Sequence, residues 1–378
     1  MSMAANGTVL VAGAGGLIGR AVIRHYLAQG GWDVVALSRK APAPETGAAH
    51  IAVDLADAAS CEGRLGGLGN VTRIVYAALF EKPDLTQGWL EEDQIATNLA
   101  MLTNLMAAVE PNNPGLRHVT LLQGAKAYGV HLGQISVPGR ESAPRHIHPN
   151  FYWEQEDFLT ARQAGKAWGW TIFRPQVILG FALGSMMNLI AAIGAYAAIS
   201  RELGLPLVYP GTGTRVTEAT DARLLARAIF WAASAPAAFN QTFNITNGDV
   251  FTWETLWPAI ARAFAIPVGL PQAMPLARVM PGHAATWRKI TARYDLAPVS
   301  LEHLVSSSWQ FADFAFSRPH STASLLSTIK IREAGFGDCI DTEQSLAFWL
   351  GEMRGAKMPS PGGGVRARSF QRWRGGDR

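Results

Sequence analysis

The sequence predicts an α/β protein: a Rossmann-type doubly wound parallel sheet with a smaller C-terminal substrate lobe. Three observations carry this expectation. Short apolar runs of strand length recur along the first half, with helical segments between them, which is the pattern of βαβ units. Residues 8–30, TVLVAGAGGLIGRAVIRHYLAQG, read as a buried strand, a glycine turn and an amphipathic helix. The chain has 378 residues, 48% hydrophobic and 16% charged, enough for one large α/β domain or a domain with a second lobe.

The first strand is Thr8–Ala12. Gly13, Gly16 and Gly19 follow at three-residue spacing, and a helix starts at Leu17 and Ile18 and runs through His25 to about Gln29. Such a loop needs glycine at the tight turn, at the closest backbone approach to a pyrophosphate, and where helix packs on strand. The helix start then offers free N–H groups and a positive dipole end to phosphate. Gly13, Gly15, Gly16, Leu17, Ile18 and Gly19 are accordingly the expected dinucleotide loop. The second strand, Asp33–Ser38, ends in Ser38-Arg39-Lys40, where a carboxylate would favour NAD and a cation accommodates a 2′-phosphate. NADPH is therefore the expected cofactor. Asp54 and Leu55 close the third strand, His50–Val53, and are placed to meet the adenine edge.

Arg73–Ala77, His118–Leu122 and Trp170–Phe173 supply further strands, with helices expected at Thr86–Val109 and Tyr152–Ala164. Ala78, Gln123, Pro175, Val177 and Ile178, at or just past the strand exits, complete the expected cofactor contacts. Thr242–Ile245 reads as a later strand. Thr252–Ala265 reads as a helix capped by Thr252, with Trp253 and Trp257 on one face as core or interface. The organisation expected is a dinucleotide-binding core over 1–175, a mixed segment over 176–350 that completes the core and forms the substrate lobe, and a flexible basic tail over 351–378.

Composition excludes several classes. Only Cys61 and Cys339 are present, so neither a disulfide framework nor a cysteine zinc site is indicated. His146 and His148 lie in RHIHP without a carboxylate cluster and read as a polar loop, so no metal is expected. The net charge of +4 is concentrated at the end: residues 351–378 carry seven cations and two anions, +5, leaving the body near −1. No specific nucleic-acid partner is expected. Residues 175–200 are free of charge, but proline, glutamine, asparagine and glycine interrupt them, so they read as a loop and a pocket-lining helix, not a membrane span. With no signal peptide visible, a cytoplasmic location is expected, and a homodimer is allowed.

None of the seven tyrosines has a lysine four residues later, so the usual Tyr-x-x-x-Lys pair of short-chain dehydrogenases is missing. Two segments still bring reactive groups to the carboxyl ends of the strands. Lys126 follows the fifth strand in LLQGAKAYG, and Tyr152 opens a helix in NFYWEQED with Glu156 four residues on. A cation near a phenol lowers a pKa that is about 10 unperturbed. From the residues alone, a phosphate-contacting or exposed Lys126 and a packed Tyr152 remain open.

LLQGAKAYG, NFYWEQED, FRPQVILGF, SMMNLIAAIGAYAAI, FNITNGDVFTW and SWQFADF occur in this order and resemble the progesterone 5β-reductase/iridoid synthase-like family of atypical short-chain dehydrogenases. The resemblance covers most of residues 8–350. It implies a Rossmann core with a smaller substrate lobe, NADPH as cofactor, and reduction of the C=C bond of activated enones and enals. By motif it implies that Lys126 and Tyr152 are catalytic and that Phe311, in WQFAD, lines the pocket. This chain departs from the family at Ala127, where histidine is usual, at Trp153, where a second tyrosine is usual, and in a shortened segment between Tyr128 and Asn150.

The function expected is hydride transfer from NADPH to the β-carbon of a small hydrophobic enone or enal, the resulting enolate held by Tyr152 with Lys126. Trp153, Met186 and Met187 join Phe311 as an adaptable apolar wall. The alternatives are a carbonyl reductase or sugar-nucleotide epimerase/dehydratase, and a non-catalytic NADPH-sensing regulator.

Overall fold

A computed structural model describes residues 6–40, 47–212, 215–317 and 323–356. Along the chain come β1 (Thr8–Ala12), α1 (Leu17–Gln29), β2 (Asp33–Ser38), β3 (Ala49–Ala52), α2 (Ala58–Leu65), β4 (Val71–Tyr76), α3 (Leu85–Gly88), α4 (Glu92–Val109), β5 (His118–Leu122), α5 (Phe151–Gln163) and β6 (Gly169–Pro175). Then follow β7 (Val177–Leu179), α6 (Leu189–Glu202), β8 (Ala219–Asp221), α7 (Ala222–Ala232), β9 (Gln241–Ile245) and α8 (Trp253–Phe264). The last helices are α9 (Leu276–Val279), α10 (Ala284–Arg293), α11 (Leu301–Val305), α12 (Ser308–Phe316), α13 (Ile329–Glu333) and α14 (Thr342–Gly355).

Seven strands form one parallel sheet in the order β3-β2-β1-β4-β5-β6-β9. Every residue of β1 is buried, as a central strand covered on both faces requires. Successive side chains of a strand point to opposite faces. Val9 and Val11 accordingly pack with α1, α6 and α7, whereas Leu10 and Ala12 pack with α2, α4 and Leu159 of α5. The order reverses between β1 and β4, which opens the crevice at the carboxyl ends where a nucleotide binds in such sheets.

β7 and β8 form a separate parallel pair, and α6 with α8 to α12 builds the lobe beyond the strand ends. Thr252 caps α8 in a reciprocal capping box with Thr255, and Trp253 and Trp257 are buried in the core. α14 packs on α6 and α8, with Ser345 donating to buried Asp221 at 2.6 Å. Asn247 donates to Thr342 at 3.0 Å.

Several boundaries differ from expectation. The helix expected at Thr86–Val109 is two, α3 and α4. Asp84 caps α3 by accepting from Gln87 N at 3.3 Å, the backbone leaves the helix at Glu91, extended at φ −91° and ψ 132°, and α4 restarts at Glu92. Trp89, between them, donates to Glu81 at 3.2 Å. β3 lies one residue earlier because its pairing with β2 begins at Val35 opposite Ala49. β6 runs on to Pro175 because β9 pairs with it as far as Ile245. The uncharged stretch 175–200 divides into the end of β6, β7, a loop and most of α6. Among the described residues no helix is long and apolar enough to cross a membrane. Residues 351–355, expected in the basic tail, belong to α14, and Glu352 accepts from Arg24 of α1 at 3.0 Å; residues 357–378 lie outside the described residues.

Candidate active site

The glycine loop is shaped by close backbone approaches. Gly13 has φ +81°, and a Cβ there would sit 2.4 Å from the Ala77 carbonyl oxygen. A Cβ on Gly19 would meet the Gly13 carbonyl oxygen at 2.3 Å, so helix and strand pack only through glycine here. A Cβ on Gly15 would meet nothing within 4 Å, which leaves the loop's outer face open. Gly16 is the N-cap of α1 and supplies no side-chain acceptor, so the first amides of Leu17 and Ile18 keep their donors for an anion. These features fit a bound dinucleotide pyrophosphate.

Arg39 and Lys40 are exposed at the end of β2. Ser38 Oγ lies 3.1 Å from His50 Nε2 and also donates to the Lys40 carbonyl, tying this turn to β3. Asp54 accepts from Ala56 N at 3.0 Å, Leu55 is buried, and Ala78 packs against the same core. The Pro175 carbonyl faces Gly124 at the β5 exit, and Val177 and Ile178 stand half-buried in β7. The Gln123 side chain is committed within the protein: it accepts from Arg174 Nε at 2.7 Å and donates to the Tyr152 carbonyl at 2.9 Å.

Lys126 and Tyr152 meet at the exit of β5 and the start of α5. Lys126 sits in a short 3-10 turn, Ala125–Tyr128, and its Nζ lies 5.8 Å from the Tyr152 ring centre. One carboxamide joins the two segments. Asn150 Oδ1 accepts from Tyr152 N at 3.0 Å as the N-cap of α5, and its Nδ2 donates to the Lys126 carbonyl at 2.9 Å. A Cβ on Gly124 would lie 3.4 Å from the Tyr152 hydroxyl, which places that hydroxyl at the mouth of β5.

The lysine's charge is caged. Its Nζ stands 3.4 Å from Glu81 Oε1 and 4.2 Å from the Trp89 ring centre. Buried Glu81 is itself held by Trp89 Nε1 at 3.2 Å and Gln94 Nε2 at 2.7 Å. Burial pushes the Lys126 ammonium below its ordinary range, and Glu81 pulls it back up. Tyr152 differs from expectation. Its phenol is pushed well above the ordinary range by burial and by the Glu81 carboxylate, with Arg174 opposing, so the neighbouring Lys126 does not hold it as a tyrosinate. A phenol held neutral is a hydrogen-bond donor.

Glu156, where the usual lysine would stand, belongs to a half-buried polar network. It accepts from Arg174 Nη2 at 2.9 Å, Gln123 Nε2 at 3.1 Å and Arg145 Nη2 at 3.1 Å. Arg174 also donates to Tyr128 Oη at 3.3 Å, and Tyr128 donates to Asn244 at 2.6 Å. Trp153 packs in this network, 5.2 Å from the Arg174 guanidinium and 5.8 Å from His146. His131, His146 and His148 gather nearby, but among the described residues no group of three or more His, Cys, Asp or Glu could hold a metal ion.

The apolar candidates come from the lobe. Phe311 of α12 stacks with Phe314 at 6.4 Å, and Phe314 meets Trp89 edge-on at 5.3 Å, so an aromatic run leads back to Lys126. Met186 and Met187 are half-buried before α6, Met187 with φ +56°. Sequence reasoning missed Glu81, Trp89, Asn150 and Arg174. A signal existed only for Asn150, an N-cap residue type just ahead of the helix.

The sequence profile of the PRISE-like Rossmann-fold domain matches residues 58–298. An (S)-8-oxocitronellyl enol synthase from Antirrhinum majus is 33% identical over 348 residues, covering 87% of this chain and 85% of the relative. A 3-oxo-Δ(4,5)-steroid 5-β-reductase from Arabidopsis thaliana is 31% identical, covering 87% of this chain and 86% of the relative. Among solved structures, a putative epimerase from Burkholderia cenocepacia J2315 superposes with TM-score 0.65 at 18% identity, over 94% of this chain and all of that one (100%). The UDP-glucose 4-epimerase of Thermus thermophilus in complex with NAD gives 0.64 at 18% identity, over 92% and 99%. The structural likenesses establish the fold.

Proposed function

The chain belongs to the PRISE-like Rossmann-fold family, an oxidoreductase family, and from that premise we propose that it is an NADPH-dependent reductase of the C=C bond of α,β-unsaturated carbonyl compounds. The observation that carries the reading is the convergence of Lys126 and a neutral Tyr152 at the strand exits, joined through Asn150. The names of both relatives, an oxocitronellyl enol synthase and a 3-oxo-Δ(4,5)-steroid reductase, support a conjugated carbonyl substrate.

NADPH, when bound, supplies the hydride. The Gly13–Gly19 loop and the start of α1 hold its pyrophosphate, and Arg39 with Lys40 takes the 2′-phosphate. Tyr152 donates a hydrogen bond to the substrate carbonyl oxygen, where negative charge develops as the C=C bond is reduced. One such donor is worth about 3–4 kcal/mol, or roughly 10²–10³ in rate. Lys126 keeps a positive charge beside that oxygen. Phe311, Met186 and Met187 form the apolar surround for a small hydrophobic enone or enal; Trp153, expected in that wall, packs against Arg145 and Arg174 instead. The α-carbon takes its proton from solvent.

A panel of enones, enals and saturated ketones, followed by NADPH absorbance with products identified by NMR, tests this. Saturated carbonyl products are expected. Allylic alcohols would reassign the site to carbonyl reduction, and no NADPH oxidation across the panel would leave a non-catalytic nucleotide binder.

A further inference from the structure

Lys126 presents a physical problem that its own turn does not solve. An ammonium group taken out of water loses its hydration and tends to shed its proton. Its side chain is only 13% exposed, and that of Glu81 only 2%. Among the described salt bridges, the partner of Lys126 is Glu81, and Glu81 is not a casual surface carboxylate. Both of its oxygens are committed, Oε1 to Trp89 Nε1 and Lys126 Nζ, and Oε2 to Gln94 Nε2. The Trp89 that orients Glu81 also lays its ring against the ammonium at 4.2 Å, a cation–π contact. One loop, after β4, therefore brings both a counterion and an aromatic face to a lysine carried by the loop after β5.

The other charged groups around this pair are spoken for. Lys82, next to Glu81, turns outward to Glu91 and Asp93 at the start of α4. Arg174, from β6, is paired with Glu156 of α5. His146 faces the Lys126 carbonyl, at 3.4 Å, not its amine. Tyr152 presents its ring to the ammonium. Glu81 alone supplies the negative charge at Nζ among the described residues.

We propose that Glu81 is a positioning residue of the reductase site, which keeps Lys126 protonated and aimed toward Tyr152 through the Glu81–Trp89 clamp. This rests on the reductase reading for the use to which Lys126 is put, but not for the clamp itself. The sign of its effect is fixed. Removing the carboxylate removes what holds Lys126 up against burial and, for Tyr152, the contribution that adds to burial, so both groups lose their protons at lower pH than in the wild type.

The test is a titration of Lys126 with lysine labelled with ¹³C at Cε, the signal assigned by Lys126→Arg, in the wild type, Glu81→Gln and Glu81→Asp. The midpoint is expected to fall by about one pH unit or more in Glu81→Gln. It should fall by less in Glu81→Asp, which keeps the charge and shortens the reach. In parallel, the alkaline limb of kcat/KM on an enone should move to lower pH in the same order. An unmoved midpoint in folded Glu81→Gln overturns the proposal. If that variant does not fold, an unmoved midpoint in Glu81→Asp overturns it. A midpoint that falls in a protein that reduces no enone sustains the clamp and rejects the reductase reading.

Discussion

At Tyr152 the environment decides the chemistry. Burial and a nearby carboxylate keep the phenol protonated, so its contribution is donation of a hydrogen bond and not delivery of charge. Tyr152→Phe removes the donor and keeps the ring. Turnover of an enone is expected to fall about 10²–10³-fold while NADPH affinity, measured by fluorescence, stays near normal. Unchanged turnover would remove Tyr152 from the mechanism. At Arg39, an exposed guanidinium beside the β2 exit, substitution by alanine should weaken NADPH far more than NADH. Equal weakening of the two would count against 2′-phosphate recognition. Elsewhere, burial pushes the Glu218 carboxyl up to about 7 despite the Leu326 N–H it accepts at 2.7 Å. The folded state then holds a proton that the unfolded state releases near 4.5, so stability falls as pH rises from about 4.5 to 7 and levels off above. Urea unfolding across that range should show this decline, of up to about 3 kcal/mol, and Glu218→Gln should flatten it.

Elements are legible in the sequence where local pattern and tertiary role agree. β1, β2 and β5 begin and end where apolar runs meet glycine or polar residues, and α1 and α8 carry their own start signals. Boundaries shift where local or distant backbone decides them: β6 gains its last residues from β9, and the helix after β4 is interrupted at the extended Glu91. α7 carries a strong helical periodicity of its own; what no local window reports is its partner, α1, some two hundred residues upstream. The residues alone leave Lys126 and Tyr152 open, the resemblance joins them, and neither reports what surrounds them. Glu81 and Arg174 are single charged residues whose importance comes from burial, which no local window reports. The start of α5 makes its own prediction. Asn150→Ala removes the cap and the tie to the Lys126 turn, and should cost about 1 kcal/mol in unfolding free energy. It should also lower kcat more than it raises KM, since Lys126 and Tyr152 lose their mutual alignment. A variant with the stability loss and normal kcat would reduce Asn150 to a helix cap.

Over the whole molecule, one sheet serves two halves of the sequence. The first six strands of its order come from residues 8–175, and the edge strand β9 joins after β7, α6, β8 and α7 have passed; the rest of the lobe, α8 to α12, follows it. Parallel pairing requires a crossover between β6 and β9, and α6, carried in that crossover, packs with α8, α10, α11 and α12 in the lobe. The division of labour follows from the alternation of strands and helices. The packing of the lobe does not, since α9 to α13 are short and joined by loops without strong periodicity.

The docking of α14 has a consequence for synthesis. Its seat is built from α6, α8 and the turns after β8 and β9, so the apolar walls beneath Leu346, Trp349, Leu350 and Met353 stay uncovered until the helix has cleared the ribosome. A chain halted before residue 342 would keep β1 and α1 but leave those apolar walls exposed, and lower soluble expression is the expected outcome. Fusion partners are therefore better attached beyond residue 356 than grafted onto a shortened enzyme.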